Sequence, residues 1–489
     1  MPGVVVTTAV RTGPSGAGEV VAAQWFAAGT AERGPIDAPV LVRGMSEYKT
    51  YFGDYVSGNL YTYLQTFFEE GGSRAYVYRV TGANASAGFL DVADTQAADT
   101  LRFTAASVGE WSSQLAIETT AGDAANTYKI KVSLKGALLW TSRDLTTPAD
   151  GVAVVNTSPV SHLVVASDLE SGSTPPDDIP DVMSSTALSA GFNGDSLVEG
   201  DYTGGLDFFT YDLGPGAVSI PGQTGATLWG SLLDHGAANH RIALCSFGES
   251  DTATVAKTSV AAMYSHASAD YGAFYFPWIQ IPDPAVAGLQ VTQSPEAFAA
   301  AARSKSVTQD GPWMPGAGLI SEASFVNGLV TALDSAAGDA LDEKRVNAIR
   351  KIGNTIRVYG ARSVSADETN WRYISARDTV NYIAWGAEDR LEDFVFSTID
   401  SRGSLFARIE SALIGLLDPV RVDGGLYEAF DEDGNQIDGG YSVDVSDEIN
   451  PIENLAQGKV SAVVNVRVSS VGDQISVTVT KSNLTTSVV

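Results

Sequence analysis

A pattern of strands alternating with helices runs from about Gln24 to Val80, stops, and resumes at about Asp201. The stretch between, from about Gly82 to about Gly200, is poor in aromatics and rich in Thr, Ser, Asp and Val. Its short runs LRFTAA, SQLAIETT, NTYKIKVSL, GVAVVN and SHLVVAS are parted by turn residues, a cadence that predicts a small all-β sandwich. Ser171 to Asp181, SGSTPPDDIPD, reads as the loop by which the chain leaves it. One periodicity broken and later resumed predicts a core split by an insertion.

Before the break, AQWFAAG and APVLVRG read as strands, with Ser46 placed to cap a short helix over EYKTYFG. Leu60, Tyr63, Leu64, Phe67 and Phe68 fall on one face of a second helix, LYTYLQTFFEE. Gly71-Gly72 ends it, since glycine takes the left-handed C-cap without steric cost. Arg74 to Val80 is the next strand. After the break, AVSIPG, RIALCSF and GAFYFPWIQI read as strands, with helices over Thr224–Leu233 and TATVAKTSVAAMYSHAS between them. That alternation implies at least partly parallel pairing through crossover helices. Two further helices, roughly Thr379–Phe394 and Ser404–Leu417, precede an acidic β region. The expected fold class is an α/β (α+β) core split by an all-β sandwich insertion, followed by a C-terminal α+β domain. Its expected segments are 1–20 (arm and linker), 21–82 and 201–377 (core), 83–200 (insertion), 378–470 (C-terminal domain) and 471–489 (C-terminal arm).

At 489 residues the chain has room for about three domains of ~150 residues, and for more than one core. With 44% hydrophobic and 18% charged residues it is globular, which speaks against large-scale disorder. Its 58 acidic residues against 30 basic ones give a formal charge of −28, which repels phosphate backbones and disfavours nucleic-acid binding. The single cysteine, Cys245, rules out an intrachain disulfide or a Cys-rich metal site; within Ile242-Ala243-Leu244-Cys245 it reads as a small buried hydrophobe. No run approaches the ~18 apolar residues of a membrane span, so no membrane insertion is expected. MPGVVVTTAVRTG lacks a signal-peptide pattern, and the expected place of folding is a cytoplasm.

Against that acidic background stands a basic island from Lys344 to Arg377, in which Ile356 and Val358 alternate with Arg357 as in a strand with one wet face. It ends in the aromatic turn Trp371-Arg372-Tyr373. Two readings of Arg350, Arg357, Arg362, Arg372 and Arg377 stand side by side: they face acidic surfaces of neighbouring copies, or they form an internal network with the acidic C-terminal region. Charge reversal at Arg357 or Arg362 separates the two. The ends of the chain also match each other. Val4, Val5, Val6, Thr7 and Thr8 form a β-prone segment behind a Gly/Pro linker; near the other end Ile475, Val477 and Val479 alternate with Ser and Thr. Short strands with no local partner must pair with something distant. Val464, Val466 and Val468, one face of AVVNVRV, are the expected acceptor strand.

The motifs, in order, resemble the contractile bacteriophage tail sheath family, shared with related contractile injection systems. The resemblance rests on Gly29-Thr30-Ala31-Glu32-Arg33-Gly34-Pro35, on Phe68 to Tyr76, on Phe103-Thr104-Ala105-Ala106 with Gly109-Glu110-Trp111, and on Tyr202 to Asp207. It continues through Tyr275-Phe276-Pro277-Trp278, Val346 to Arg350, Tyr359-Gly360-Ala361-Arg362, Trp371-Arg372-Tyr373, and Asn450-Pro451 with Gly458. The chain departs from the family at Ser294-Pro295-Glu296-Ala297-Phe298-Ala299 and at Phe396-Ser397-Thr398-Ile399-Asp400. The resemblance implies a structural subunit that assembles with itself as hexameric rings in a helical sheath and contracts to drive a tail tube through the host cell envelope for genome ejection, with the sheath of a phage-like contractile injection system as the alternative. Its other implied partners are a tail tube protein and baseplate and tail terminator proteins, and its implied place is the virion tail, assembled in a host cytoplasm. It also implies that the terminal arms add strands to the C-terminal domains of neighbours.

Chemistry is not written in the sequence. His235 and His240 lack the spacing of a zinc motif and read as a solvated or capping pair. Neither a G-x-S-x-G elbow nor a P-loop is present, and Gly16-Ala17-Gly18 and Gly316-Ala317-Gly318 lack a third glycine in register. Asp431-Glu432-Asp433-Gly434-Asn435 imitates a calcium loop, but its glycine comes two places early and it reads as a hairpin turn. No catalytic residue, cofactor or metal is expected. An α/β enzyme with a β-sandwich accessory domain is the alternative of a different class, and it would need a convergent polar cluster.

Overall fold

In the computed structural model, which describes residues 21–473, every residue of Trp25–Gly29 (β1) is buried, as in a strand covered on both faces. Val40–Val42 (β2) and Ala75–Arg79 (β3) extend the sheet: β1 pairs with β3 in parallel and β2 closes that edge antiparallel. The segments holding Val4, Val5, Val6, Thr7 and Thr8 and Ile475, Val477 and Val479 lie outside the described residues.

Helix Met45–Phe52 (α1) starts two residues earlier than expected, so Ser46 sits inside its first turn and does not cap it. No side chain caps its first turn; Glu47 reaches back to accept the Arg43 N–H, one residue before the cap position, at 2.8 Å. Helix Leu60–Glu69 (α2) is capped by Asn59, which accepts the Tyr61 N–H. Leu60, Tyr63, Leu64 and Phe67 are buried as expected while Phe68 is half-exposed. The Phe67 ring stands 5.1 Å from that of Trp25.

The insertion holds Phe89–Ala93 (β4), Asp99–Ala105 (β5), Leu115–Ala121 (β6), Tyr128–Leu134 (β7), Ala137–Thr141 (β8), Pro148–Asn156 (α3), Val164–Asp168 (β9) and Met183–Ala187 (β10). Its strands form two antiparallel sheets, β4-β5-β9 and β10-β6-β7-β8. Phe103, Trp111, Ile117, Ile130, Val132 and Val164 share one buried cluster between them. GVAVVN, read as a strand, is helical. The Thr147 side chain accepts the Asp150 N–H at 3.1 Å and Pro148 opens the helix, a start signal that outweighs β-branched composition.

Beyond it come Glu199–Leu206 (α4), Gly216–Ser219 (β11), Ala226–Asn239 (α5), Arg241–Ser246 (β12), Ala253–Ser259 (α6) and Gly272–Phe276 (β13). The run GAFYFPWIQI is two strands, because Pro277 has no N–H with which to continue a ladder. Its second half, Ile279–Pro282 (β14), pairs in a separate antiparallel sheet with Gln290–Gln293 (β15) and Gly328–Leu329 (β16). Between these strands runs Glu296–Gln309 (α7); after them come Ser335–Asp342 (α8), Val346–Ile352 (β17) and Thr355–Tyr359 (β18). The main sheet has eight strands in the order β18-β17-β13-β12-β11-β1-β3-β2, parallel except at its two edges. Strands from before and after the insertion therefore share one sheet. The β18 edge is covered: the Ala323 N–H donates to Ile356 O at 2.9 Å, and the Val358 N–H donates to Ser321 Oγ at 3.1 Å.

All of this belongs to one compact unit that ends at Ile374. The second unit comprises Asp310–Pro315 and the residues from Ser375 on, so the division falls earlier than the expected 377/378 and takes a short piece out of the core. The cause of that reassignment is Trp313, which packs with Leu416, Val420 and Leu426. The second unit contains Ile374–Leu391 (α9, all but its first residue), Ser404–Val422 (α10), and four short strands: Ala429–Phe430 (β19), Gln436–Asp438 (β20), Tyr441–Asp444 (β21) and Val463–Val466 (β22).

Candidate functional site

β21 and β22 form a two-stranded antiparallel sheet with Val443 opposite Val464 and Tyr441 opposite Val466. Val464 and Val466 turn their side chains toward Leu416, Leu417 and Val420, while Val463 and Asn465 are exposed. One face is thus covered and the other wet.

The register also fixes where the main chain points. The Arg467 N–H donates to Gly440 O at 2.7 Å, and Arg467 O accepts the Tyr427 N–H at 2.7 Å. In an antiparallel ladder only alternate residues turn their N–H and C=O toward a given neighbour. Val463, Asn465 and Arg467 therefore bond toward β21 and the Leu426 segment. Val464, Val466 and Val468 point their main-chain groups to the opposite edge, where no strand lies among the described residues. Tyr441 and Val443 do the same on the outer side of β21. An edge with its donors and acceptors bare beside a half-buried apolar row is chemically suited to one thing, the addition of another strand.

The basic island divides. Arg350 and Arg357 stand directly opposite each other on β17 and β18. Arg350 is 8% exposed, its guanidinium 5.2 Å from the Tyr359 ring, and Arg357 reaches Glu322 at 3.5 Å. Arg362 is buried and meets Glu368 at 3.1 Å and Asp342 at 3.7 Å. Glu368 also accepts from Arg345 at 3.1 Å and Arg372 at 3.3 Å, so one carboxylate gathers three guanidiniums. Arg377 is on the first turns of α9, in the second unit. Within the first unit, Glu322, Asp342 and Glu368 are acidic partners of Arg357, Arg362 and Arg372.

Other polar groups escaped the sequence reading because each looks ordinary in its own neighbourhood. Glu296 opens α7 and is 1% exposed; it accepts Ser246 Oγ–H at 2.6 Å, and burial holds its carboxyl above the usual range. Arg241 is fully buried, with its guanidinium carbon 3.8 Å from the centre of the Phe26 ring, and donates to the carbonyls of Phe209, Thr210 and Gly214. His235 lies 3.1 Å from that guanidinium; burial and then the Arg241 charge depress its pKa to about 3, so it is neutral and not solvated. His240 caps α5 in the left-handed conformation, away from any shared site with His235. Asp431 accepts the Asn435 N–H at 2.7 Å and closes the β19–β20 hairpin. Cys245 is buried. Among the described residues no group of three or more His, Cys, Asp and Glu is placed to hold a metal ion, and no helix is long and apolar enough to cross a membrane.

No protein-family model matches the chain, and no curated protein sequence matches it. Solved structures do. A chain of the contracted helical sheath of the anti-feeding prophage is 16% identical and superposes with a TM-score of 0.57 over 98% of this chain and 99% of its own. The contracted sheath complex of PVC, an extracellular contractile injection system, gives 15% identity and 0.55 over 99% and 98%. The sheath tail protein Lin1278 of Listeria innocua gives 11% identity and 0.63 over 87% and 89%. At such identities the likeness is one of fold, and it extends along nearly the whole of both chains. Over that length, this chain has the fold of the contractile tail sheath proteins.

Proposed function

We propose that this chain is the structural subunit of a contractile sheath, stacked as hexameric rings around a tail tube, which contracts to drive the tube through a host envelope. The observation that carries the reading is the near-complete, two-way coverage by sheath chains, insertion and second unit included. The two open edges of the β21–β22 sheet supply a means of assembly. An arm from one neighbour, Val4 to Thr8, and an arm from another, Ile475 to Val479, would each add a strand, giving affinity through main-chain hydrogen bonds and register through alternate side chains. The Gly/Pro linker behind the N-terminal arm lets subunits turn without unpairing. Contraction is then a switch between two packings of one polymer, with no reaction to catalyse. The two sheets of the insertion are read as a sandwich module, and the tube, baseplate and terminator as the other partners.

A phage tail that ejects a genome and a headless injection device both use such a sheath. The second is favoured by the neighbours from the anti-feeding prophage and PVC, which match 98–99% of this chain against 87% for the sheath tail protein Lin1278. Negative-stain microscopy of purified protein is expected to show striated tubes. Removing residues 1–12, or those beyond Gly472, is expected to leave folded protein without tubes; tubes of normal stability from either truncation would overturn the strand-addition mechanism.

A further inference from the structure

The loop between α9 and α10 carries an aromatic side chain that no other described residue covers. Phe396 is 102% exposed, and its backbone is in the left-handed region at φ 65, a costly conformation for a bulky residue without Cα freedom. The loop that holds it is well tied. The Val395 N–H donates to Glu392 O at 3.1 Å and the Ser397 N–H to Phe394 O at 3.0 Å. Phe394 and Ile399 pack inward against Leu405, Ile409 and Leu413, and the Arg408 guanidinium lies 4.8 Å from the Phe394 ring. Asp400 accepts both the N–H (3.0 Å) and the hydroxyl (2.8 Å) of Ser404, fixing the start of α10. The flanks are anchored and the ring between them is presented outward, the geometry of an anchor residue before its pocket arrives.

Charge narrows what the pocket can be. Glu392 and Asp393, both exposed, precede the ring, so an acidic rim would repel the loop. In the first unit, the cavity lined by Glu32, Glu110 and Asp195 and the one lined by Asp270 and Asp367 are excluded on that ground. A third cavity, of ≈ 380 Å³, is lined by the apolar Val326, Leu329, Leu333 and Ile356 and the polar Gln280, Asn327, Asn354 and Thr355, with Lys351 among its lining and no carboxylate. The nearby Glu322 is held by Arg357 and Asp334 caps α8.

We propose that Phe396 of one copy seats in the Leu329–Leu333 cavity of a second copy, with Glu392 and Asp393 facing Lys351. The contact joins different surfaces of two identical chains; made in one direction, as in a sheath, it is heterologous and propagates into a ring or a helix, and it rests on the self-assembly reading above.

The test places Phe396→Cys and Asn354→Cys, at the turn beside the cavity, in one full-length chain whose native Cys245 is buried. Under mild oxidation the expected result is a ladder of dimers and higher species on a non-reducing gel. A second variant, Phe396→Ala, is expected to raise the concentration needed for assembly by about tenfold or more, the loss typical of a truncated aromatic anchor, with an unchanged circular dichroism spectrum. Lys351→Glu is expected to weaken assembly in the same way and to be rescued by Glu392→Lys. Cross-linking confined within single chains, or wild-type tubes alongside undiminished Phe396→Ala tubes, overturns the proposal while leaving the sheath reading intact. Wild-type protein that forms no tubes overturns the sheath reading; absence of the ladder in that same concentrated sample overturns this contact as well.

Discussion

Glu296 is a carboxyl in a pocket of hydroxyls. Ser246 donates to one of its oxygens, the other is buried without a hydrogen-bond partner, and Tyr63 and Cys245 are buried nearby. Burial is the largest influence and raises its pKa above the ordinary 4.5. The sign is the reverse of a salt-bridged acid: the folded state binds the proton more tightly, so the stability it contributes is complete below pH 4.5 and is lost as pH rises toward the folded-state value. Glu296→Gln, which keeps an acceptor for Ser246 and cannot ionise, is expected to flatten the decline in Tm as pH rises above 4.5. Parallel Tm–pH curves for the two proteins would mean that the carboxyl ionises in the fold without cost. Nothing in SPEAFAA reveals this site, because Ser246 is 50 residues away in sequence. Arg362 was legible as a charge but not as a partner of Glu368, since a pattern of charges does not say which of them fold against each other.

At the scale of elements, α2 and β1 were legible because their side-chain periodicity is local and both lie on the central sheet. α3 was misread for a reason equally local: Val152, Val154 and Val155 suit a strand, while Thr147 and Pro148 start a helix, and in the fold the cap wins. The alternation of Val464, Val466 and Val468 marked a strand with one apolar face, but only the pairing with β21 decides which edge is bare. That distinction makes a prediction with a built-in control. Val466→Pro removes a donor from the outer edge and is expected to abolish assembly while leaving Tm within a few degrees. Asn465→Pro removes a donor from the β21 ladder and is expected to cost about 1–3 kcal/mol of stability, measured by denaturant unfolding. Equal destabilisation by the two prolines would refute the assigned register.

For the whole molecule the governing number is the net charge of −28. Copies of so acidic a chain repel at long range, and salt shortens that range from about 30 Å at 0.01 M to about 8 Å at 0.15 M. Because Arg357, Arg362 and Arg372 of the basic island are engaged with Glu322, Asp342 and Glu368, contacts between copies are expected to be chiefly main-chain and apolar. The onset of assembly, followed by light scattering, should then move to severalfold lower protein concentration as salt rises over this range. Assembly that weakens with salt would instead mean that charge pairs, the basic island among them, hold the copies together.

The sequence by itself determined what depends on neighbours along the chain: the interrupted α/β rhythm, the amphipathic helices, the alternating terminal segments and the absence of a recognisable catalytic motif. Its ordered motifs also pointed to the family whose fold the structure shares. The tertiary structure alone decided which strands of the main sheet meet across the insertion, that Trp313 belongs with the second unit, which carboxylates neutralise the island, and which main-chain groups of β21 and β22 stay bare. The physical reason is that periodicity is a property of one segment, whereas an open edge, an ion pair or a buried acid among hydroxyls is a relation between segments that only folding brings together.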